Sequence, residues 1–141
     1  MPAPPDTLWK LEPHSKGKHD VLRRYVQAWL PIMTMGNARV VLVDAFAGPG
    51  KYLGGEPGSP LILLDAYLSH SFRARMNAEI VYLFIEERRD RVEFLREEVG
   101  RLKLPGNVKV YIEEGRYEDI FGKRLKELRQ EGKQLAPTFT F

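Results

Sequence analysis

The sequence predicts an α/β fold in which helices cover both faces of a parallel, doubly wound sheet. Four short segments rich in branched or aromatic residues alternate with four helical segments, and this alternation is typical of such a sheet. The first two strand segments are continuous apolar runs, as expected for strands buried on both faces. A chain of 141 residues with 43% hydrophobic residues fits one domain with an ordinary core.

The composition excludes several classes of function. The chain contains no cysteine, which excludes disulfides, thiol nucleophiles and cysteine-ligated metal centres and favours a reducing, cytoplasmic location. No apolar run reaches the roughly 18 to 20 residues of a membrane span, so we expect no membrane partner. The net charge of +3, from 22 basic and 19 acidic residues, is only weak evidence for a nucleic-acid partner.

The chain divides into a predicted disordered tail, residues 1–7, and one α/β domain, residues 8–141. The domain begins with a helix whose apolar residues should pack on the sheet, and Pro31 is expected to end that helix. These apolar residues are Val21, Leu22, Tyr25, Val26, Trp29 and Leu30.

The later elements follow from equally local signals. Ser59 and Pro60 predict the start of the second helix, with Ser59 as N-cap and Pro60 at the first helical position. Strands are predicted at 39–44, 79–86, 108–112 and 138–141, and two further helices at 88–102 and 118–130.

A glycine-rich turn follows the first strand, in the segment Asp44-Ala-Phe46-Ala-Gly48-Pro-Gly50. In parallel α/β sheets, ligands bind at the carboxyl ends of the strands. Glycine allows a positive φ or a close approach of the ligand to the backbone. The sequence therefore predicts a ligand site that includes Asp44, Phe46, Gly48 and Gly50.

The spacing within this turn distinguishes three kinds of nucleotide site. A dinucleotide fingerprint would place a third glycine where Leu53 stands, which weakens an NAD-dependent oxidoreductase as an alternative. A phosphate-binding P-loop would need Ser or Thr at Tyr52 and glycine at Ala45, so it is excluded. An S-adenosylmethionine site asks for an acidic residue at the strand end followed by G-x-G, and the segment fits that pattern best.

The ends of the next two strands supply further candidates. Glu86 is placed to accept hydrogen bonds from the two ribose hydroxyls of an adenosine, or it serves only to begin the following helix favourably. Arg116 stands where enzymes with such a site commonly present a side chain to the adenine, often Asp. A direct contact from Arg116 and the absence of one both remain open.

Basic residues cluster where the first helix begins. Lys18 or His19 is predicted to approach the cofactor carboxylate or a substrate phosphate, because a helix N-terminus directs N–H groups at anions. The alternative is a solvated helix start. His14 and His19 have no third ligand nearby in the sequence, so no metal site is expected.

Three motifs together resemble those of the three-Cys-motif partner protein family, whose members resemble class I S-adenosylmethionine-dependent methyltransferases. The resemblance extends from Leu8 to the C-terminus. It implies a Rossmann-like sheet of which about four strands, the N-terminal part, are present. The motifs are Trp9-x-Leu-Glu12-x-His14-Ser-x-x-Lys18-His19, Val43-Asp44-x-Phe46-Ala-Gly-Pro-Gly50-x-Tyr52 and Gly58-Ser-Pro-Leu61.

The resemblance also implies a function. S-adenosylmethionine would be the cofactor, nucleic acid the acceptor, and a protein with three cysteine motifs a partner. Family members continue into an acidic-proline segment after the fourth strand, so we expect the domain to be truncated and the catalytic residues to lie beyond Phe141. The alternative is a non-catalytic interaction module that keeps this fold and acts with a partner protein.

Overall fold

The computed structural model describes residues 6–131 and 136–141 and confirms an α/β fold with four parallel strands. The sheet is compatible with a Rossmann-like fold, and its strand order is β3-β2-β1-β4. In chain order, the elements are α1 (Pro13–Thr34), β1 (Arg39–Asp44), α2 (Ser59–Leu68), a 3₁₀ turn (Arg73–Arg75), β2 (Glu79–Glu86), α3 (Arg89–Gly100), β3 (Val108–Glu114), α4 (Tyr117–Gln130) and β4 (Thr138–Thr140).

The two faces of the sheet bury separate sets of side chains. Helices α1, α2 and α3 cover one face of the sheet and form the main core with it. On the other face, Tyr117 and Ile120 of α4 form a smaller cluster with three strand residues, Val43, Leu83 and Ile85. Successive residues of a strand point to opposite faces. This explains why β1 and β2 are apolar without interruption.

The strand order positions the candidate site. Strands β2 and β3 are added in turn on one side of β1, and β4 then pairs with the other side of β1. Such a reversal leaves a crevice at the carboxyl ends of the two strands on either side of it, β1 and β4. Here Phe141 N–H donates to Val43 O at 2.8 Å and Ala45 N–H donates to Phe141 O at 3.0 Å, so the turn after β1 lies beside the end of β4.

Helix α1 does not end at Pro31, as the sequence predicted, but continues to Thr34. A proline lacks the N–H that would bond the carbonyl four residues earlier, and here that carbonyl belongs to Gln27. His70 Nε2 donates to Gln27 O at 2.8 Å, and its Nδ1 accepts the Phe72 N–H at 3.0 Å. A tertiary hydrogen bond therefore replaces the missing helical one.

We expect His70→Ala to lower the free energy of unfolding by about 1 to 2 kcal/mol, because the Gln27 carbonyl loses its partner. In a Pro31→Ala background the same change should cost clearly less, since Ala at this position supplies the helical N–H. Urea unfolding of the four chains in this double-mutant cycle measures the coupling. An equal cost in both backgrounds would show that His70 stabilises the chain in another way.

The apolar face predicted for α1 is only partly buried. Leu22, Val26 and Leu30 lie in the core. Tyr25 is 57% exposed, but its ring lies 5.4 Å from that of Phe139 in β4. Val21 is 68% exposed, so the prediction was wrong for this residue. Consecutive helix positions are about 100° apart. The six predicted residues therefore occupy more of the helix circumference than the part that faces the sheet.

The start of α2 also differs from the prediction. Gly58 is the N-cap, Ser59 is the first helical residue, and no side chain caps the helix. The Ser59 hydroxyl donates to the Asp44 carboxylate instead. No helix in the described part of the chain combines the length and apolar character needed to cross a membrane.

Candidate functional site

Asp44 ends β1 and is almost completely buried, with 1% of its surface exposed. Both of its carboxylate oxygens accept hydrogen bonds: the Phe46 N–H donates to Oδ1 at 3.2 Å, and the Ser59 hydroxyl donates to Oδ2. The first bond closes a short turn through the side chain. Asp44 therefore shapes the turn after β1 and joins it to the start of α2, while the Phe46 ring is exposed.

Burial raises the pKa of Asp44 from 3.8 to about 6. The loss of water around the carboxylate is the main cause, the hydrogen bonds from Ser59 and Phe46 oppose it, and the negative charge of Glu86 adds to it. The folded chain consequently binds this proton more tightly than the unfolded chain does. Proton binding by Asp44 therefore stabilises the folded chain. This contribution is complete below pH 4, declines between pH 4 and pH 6, and is lost above pH 6.

We expect Asp44→Asn to remove this pH dependence. Relative to the Asn variant, the unmodified chain should lose about 3 kcal/mol of unfolding free energy between pH 4 and pH 6.5, because each pKa unit corresponds to about 1.4 kcal/mol. Urea unfolding of both chains across this pH range measures the difference between their unfolding free energies. The contributions of the other carboxylates are the same in both chains and cancel in this difference. A constant difference would contradict the raised pKa.

The glycines of the turn are required by its backbone. Gly48 has φ +67° and Gly50 has φ +88°, values that other residues rarely adopt. A Cβ on Gly50 would lie 2.6 Å from Leu95 Cδ1, so the turn also packs closely on α3. The Gly58 N–H donates to Gly50 O at 2.7 Å and closes the loop between them.

Glu86 ends β2 and bonds to the same turn. Its Oε1 accepts the Gly48 N–H at 3.2 Å, and its Oε2 accepts the Arg88 N–H at 2.8 Å, next to the start of α3. Glu86 thus bonds both the glycine turn and Arg88, the N-cap residue of α3. Each carboxylate oxygen has a second acceptor position, so these bonds leave capacity for ligand hydroxyls.

Residues 6–12 form a strap that crosses the glycine turn. Trp9 lies against Gly48, where an added Cβ would stand 3.4 Å from the indole ring, and its carbonyl accepts the Leu53 N–H at 2.8 Å. The guanidinium of Arg91 lies 4.5 Å from the centre of the Trp9 ring, a cation–π contact. The strap therefore holds the turn against α3.

The strap begins inside the predicted tail. Asp6 and Thr7 are the two tail residues within the described part, and both are bonded to α3. The Thr7 hydroxyl donates to Asp90 at 2.6 Å and Arg91 donates to Asp6 O at 2.7 Å. The ordered chain thus begins earlier than residue 8, while residues 1–5 of the predicted tail lie outside the description.

The two basic candidates on α1 lie in different places. His19 Nε2 is 3.3 Å from the Tyr52 hydroxyl, beside the glycine turn. Partial burial lowers the pKa of His19 from its usual 6.5, although the charge of Asp20 opposes this. Lys18 is exposed and lines a groove between α1 and β4. Of the two, only His19 borders the turn.

A cavity of about 170 Å³ lies over the turn. This volume is below the roughly 300 to 1,000 Å³ typical of ligand pockets, so the cavity could hold part of a cofactor. Asp44 and Glu86 do not line it, but Ser59 and Gly48, which donate hydrogen bonds to them, do. Arg116 is exposed and ion-paired with Glu87 at 3.5 Å. The lining residues are Trp9, His19, Phe46, Ala47, Gly48, Pro49, Gly50, Lys51, Tyr52, Gly58, Ser59 and Phe141.

Sequence reasoning missed three contributions to this site. Ser59 bonds Asp44, Tyr52 lies beside His19, and Trp9 covers Gly48. Ser59 was recognisable in the sequence, but its position before Pro60 predicted a helix cap and not a bond to Asp44. Nothing in the sequence connects Trp9 to Gly48, 39 positions later. Only the fold brings these side chains to the turn.

No protein-family model matches this chain, and no curated protein matches it either. Among residues 6–131 and 136–141, no group of three or more His, Asp or Glu side chains is arranged to hold a metal ion. The geometry of the turn and its two carboxylates therefore carries the functional argument.

Proposed function

We propose that this chain is an S-adenosylmethionine-binding domain of the methyltransferase type. The observation that carries the proposal is the bond from Gly48 N–H to Glu86 Oε1. It sets a carboxylate from the end of β2 beside the glycine turn at the end of β1. Glycine backbone for close approach and an acidic acceptor for ribose hydroxyls are the two groups that an adenosyl ligand needs here.

The charge around the turn favours this ligand over one with phosphates. Lys51, the cation next to the turn, bonds Glu98 at 3.0 Å. Glu98, which also bonds Arg101, is buried, so the charge of Lys51 is already compensated. Apart from Lys51, no lysine or arginine lines the cavity, so a pyrophosphate would depend on backbone N–H groups alone.

Each group has a proposed role in holding the cofactor. Glu86 binds the ribose hydroxyls, and the backbone of Gly48 and Gly50 packs against the ligand. Asp44 attracts the methionine ammonium, and its burial favours a bridging water over direct contact. His19, beside Tyr52, faces the methionine carboxylate. Bound S-adenosylmethionine would supply an electrophilic methyl group.

Nucleic acid is the proposed acceptor. The resemblance to the three-Cys-motif partner family and the net charge of +3 support this part, together with a three-Cys-motif protein as partner. Neither argument rests on the geometry of the turn, so the cofactor proposal is tested separately.

Thermal unfolding with a ligand panel tests the choice of cofactor, since a ligand of the folded state raises the midpoint. At 1 mM ligand, S-adenosylmethionine and S-adenosylhomocysteine should raise it by several degrees, whereas NAD and ATP should not. A larger shift with NAD would favour a dinucleotide site. No shift with any adenosyl ligand would count against the proposal.

A second candidate function is a non-catalytic interaction module that acts with a partner protein. The exposed apolar side chains of Val21 and Tyr25 on α1 favour it, because they do not serve the core of this chain. This candidate predicts that the chain co-purifies with a protein partner and that adenosyl ligands leave the unfolding midpoint unchanged.

A further inference from the structure

The strap, residues 6–12, covers the glycine turn without belonging to the core beneath it. Residues 6–12 form neither helix nor strand, and none of them is buried. A backbone hydrogen bond ties the strap to the loop after the turn, because the Leu53 N–H donates to Trp9 O at 2.8 Å. Segments with few buried contacts open at a lower free energy than the fold as a whole. The strap is therefore the part of this site that is able to open while the domain stays folded.

Two contacts with α3 hold the strap closed, and we call these two contacts the latch. The Thr7 hydroxyl donates to Asp90 Oδ2 at 2.6 Å, and the Arg91 guanidinium lies 4.5 Å from the centre of the Trp9 ring. The Asp90 side chain is 41% exposed, so water can take the place of the Thr7 hydroxyl when their bond breaks. A bond that water can replace makes a reversible latch.

Arg88 connects the latch to the carboxylate assigned to the ribose. Its N–H donates to Glu86 Oε2 at 2.8 Å, and its guanidinium bonds Asp90 Oδ2 at 2.7 Å. Asp90 Oδ2 is the same oxygen that accepts the Thr7 hydroxyl. Ligand binding at Glu86 and closure of the strap therefore act on one short segment, residues 86–91.

With the strap closed, the Trp9 ring fills the space beside Gly48. An added Cβ on Gly48 would lie 3.4 Å from the ring, which is close to van der Waals contact. Trp9 also lines the cavity of about 170 Å³ over the turn. A ligand that packs against the Gly48 backbone needs the space that the ring occupies, so the strap has to move before such a ligand enters.

We propose that the strap is a lid over the adenosyl site, which opens to admit the ligand and closes on it through the latch. The identity of the ligand rests on the proposed function, whereas the opening of the strap is a property of the ligand-free chain. When a lid has to open before binding, its opening limits the association rate. The latch is the same in the free and the bound chain, so weakening it should speed both association and dissociation.

Amide hydrogen exchange of the Leu53 N–H measures the opening without any ligand. Thr7→Val removes the hydroxyl from the latch and keeps the side-chain volume, so it should speed this exchange at least fivefold. Thr34→Val is the matched control, because the Thr34 hydroxyl bonds Leu30 O at 2.7 Å at the other end of α1. The control should leave the exchange of Leu53 unchanged. Exchange of Leu53 only through global unfolding would overturn the proposal, because the strap would then be a fixed part of the fold.

Stopped-flow fluorescence with S-adenosylhomocysteine tests whether the opening controls binding. The sequence contains two tryptophans, so Trp29→Phe leaves Trp9 to report on the strap. The observed rate should level off as the ligand concentration rises, and Thr7→Val should raise the plateau at least fivefold. A rate that rises linearly and does not respond to Thr7→Val would overturn the lid. If the ligand does not bind at all, the proposed function fails, and the exchange of Leu53 still decides whether the strap opens.

Discussion

Replacing Glu86 with alanine is expected to weaken the binding of S-adenosylhomocysteine about 100-fold. Hydrogen bonds to a carboxylate contribute about 1.5 to 3 kcal/mol each, and the loss of two ribose bonds removes about 3 kcal/mol, or two powers of ten in affinity. The variant also loses the acceptor for the Gly48 and Arg88 N–H groups. Calorimetric titration should therefore be done at a temperature where circular dichroism shows the variant folded.

Glu87→Ala is the matched control for this experiment. It removes the same charge at the next position, where Glu87 is exposed and pairs with Arg116 at 3.5 Å. Its affinity for S-adenosylhomocysteine should stay within about twofold of the unmodified chain. If the two variants bind equally well, Glu86 does not hold the ribose, and its role is to join the glycine turn to α3.

Gly50→Ala is expected to lower the free energy of unfolding by about 2 to 5 kcal/mol. An L residue in the left-handed region costs about 1 to 2 kcal/mol, and overpacking a buried site adds about 1 to 3 kcal/mol. Both apply here, because φ is +88° and the new Cβ would lie 2.6 Å from Leu95 Cδ1. Urea unfolding measures the loss.

Gly55→Ala separates these two effects. Gly55 has φ +90° but no neighbouring atom within 4 Å of an added Cβ, so this variant should lose only the backbone part. Leu95→Ala should in turn reduce the cost of Gly50→Ala, because it removes the atom that the new Cβ meets. Equal losses for Gly50→Ala and Gly55→Ala would show that the turn relaxes away from α3.

The sequence specified the strands well because the information was local. The predicted ranges 39–44 and 79–86 agree with β1 and β2, since each is a continuous apolar run that ends at an acidic residue. The errors lie where distant residues decide the outcome. Pro31 does not end α1 because His70, 43 positions after Gln27, donates the missing hydrogen bond to the Gln27 carbonyl. Ser59 does not cap α2 because Asp44 accepts its hydroxyl.

The candidate site follows the same division. Asp44, Gly48 and Glu86 could be grouped in advance, because residues at the carboxyl ends of neighbouring parallel strands must lie close together. The directions of long side chains could not be predicted in this way. Arg116 pairs with Glu87, and Lys18 lines the groove beside β4. Those directions depend on contacts with residues that are distant in the sequence, so the spacing of residues along the chain does not predict them.

Calorimetric titration of the unmodified 141-residue chain with S-adenosylhomocysteine tests the central claim most directly. The account predicts saturable binding to one site, with a dissociation constant in the micromolar range, or about −8 kcal/mol. The ligand carries the adenosine and amino-acid groups assigned to Glu86, Asp44 and His19. The absence of saturable binding at millimolar ligand would contradict the assignment of the turn after β1 as an adenosyl site.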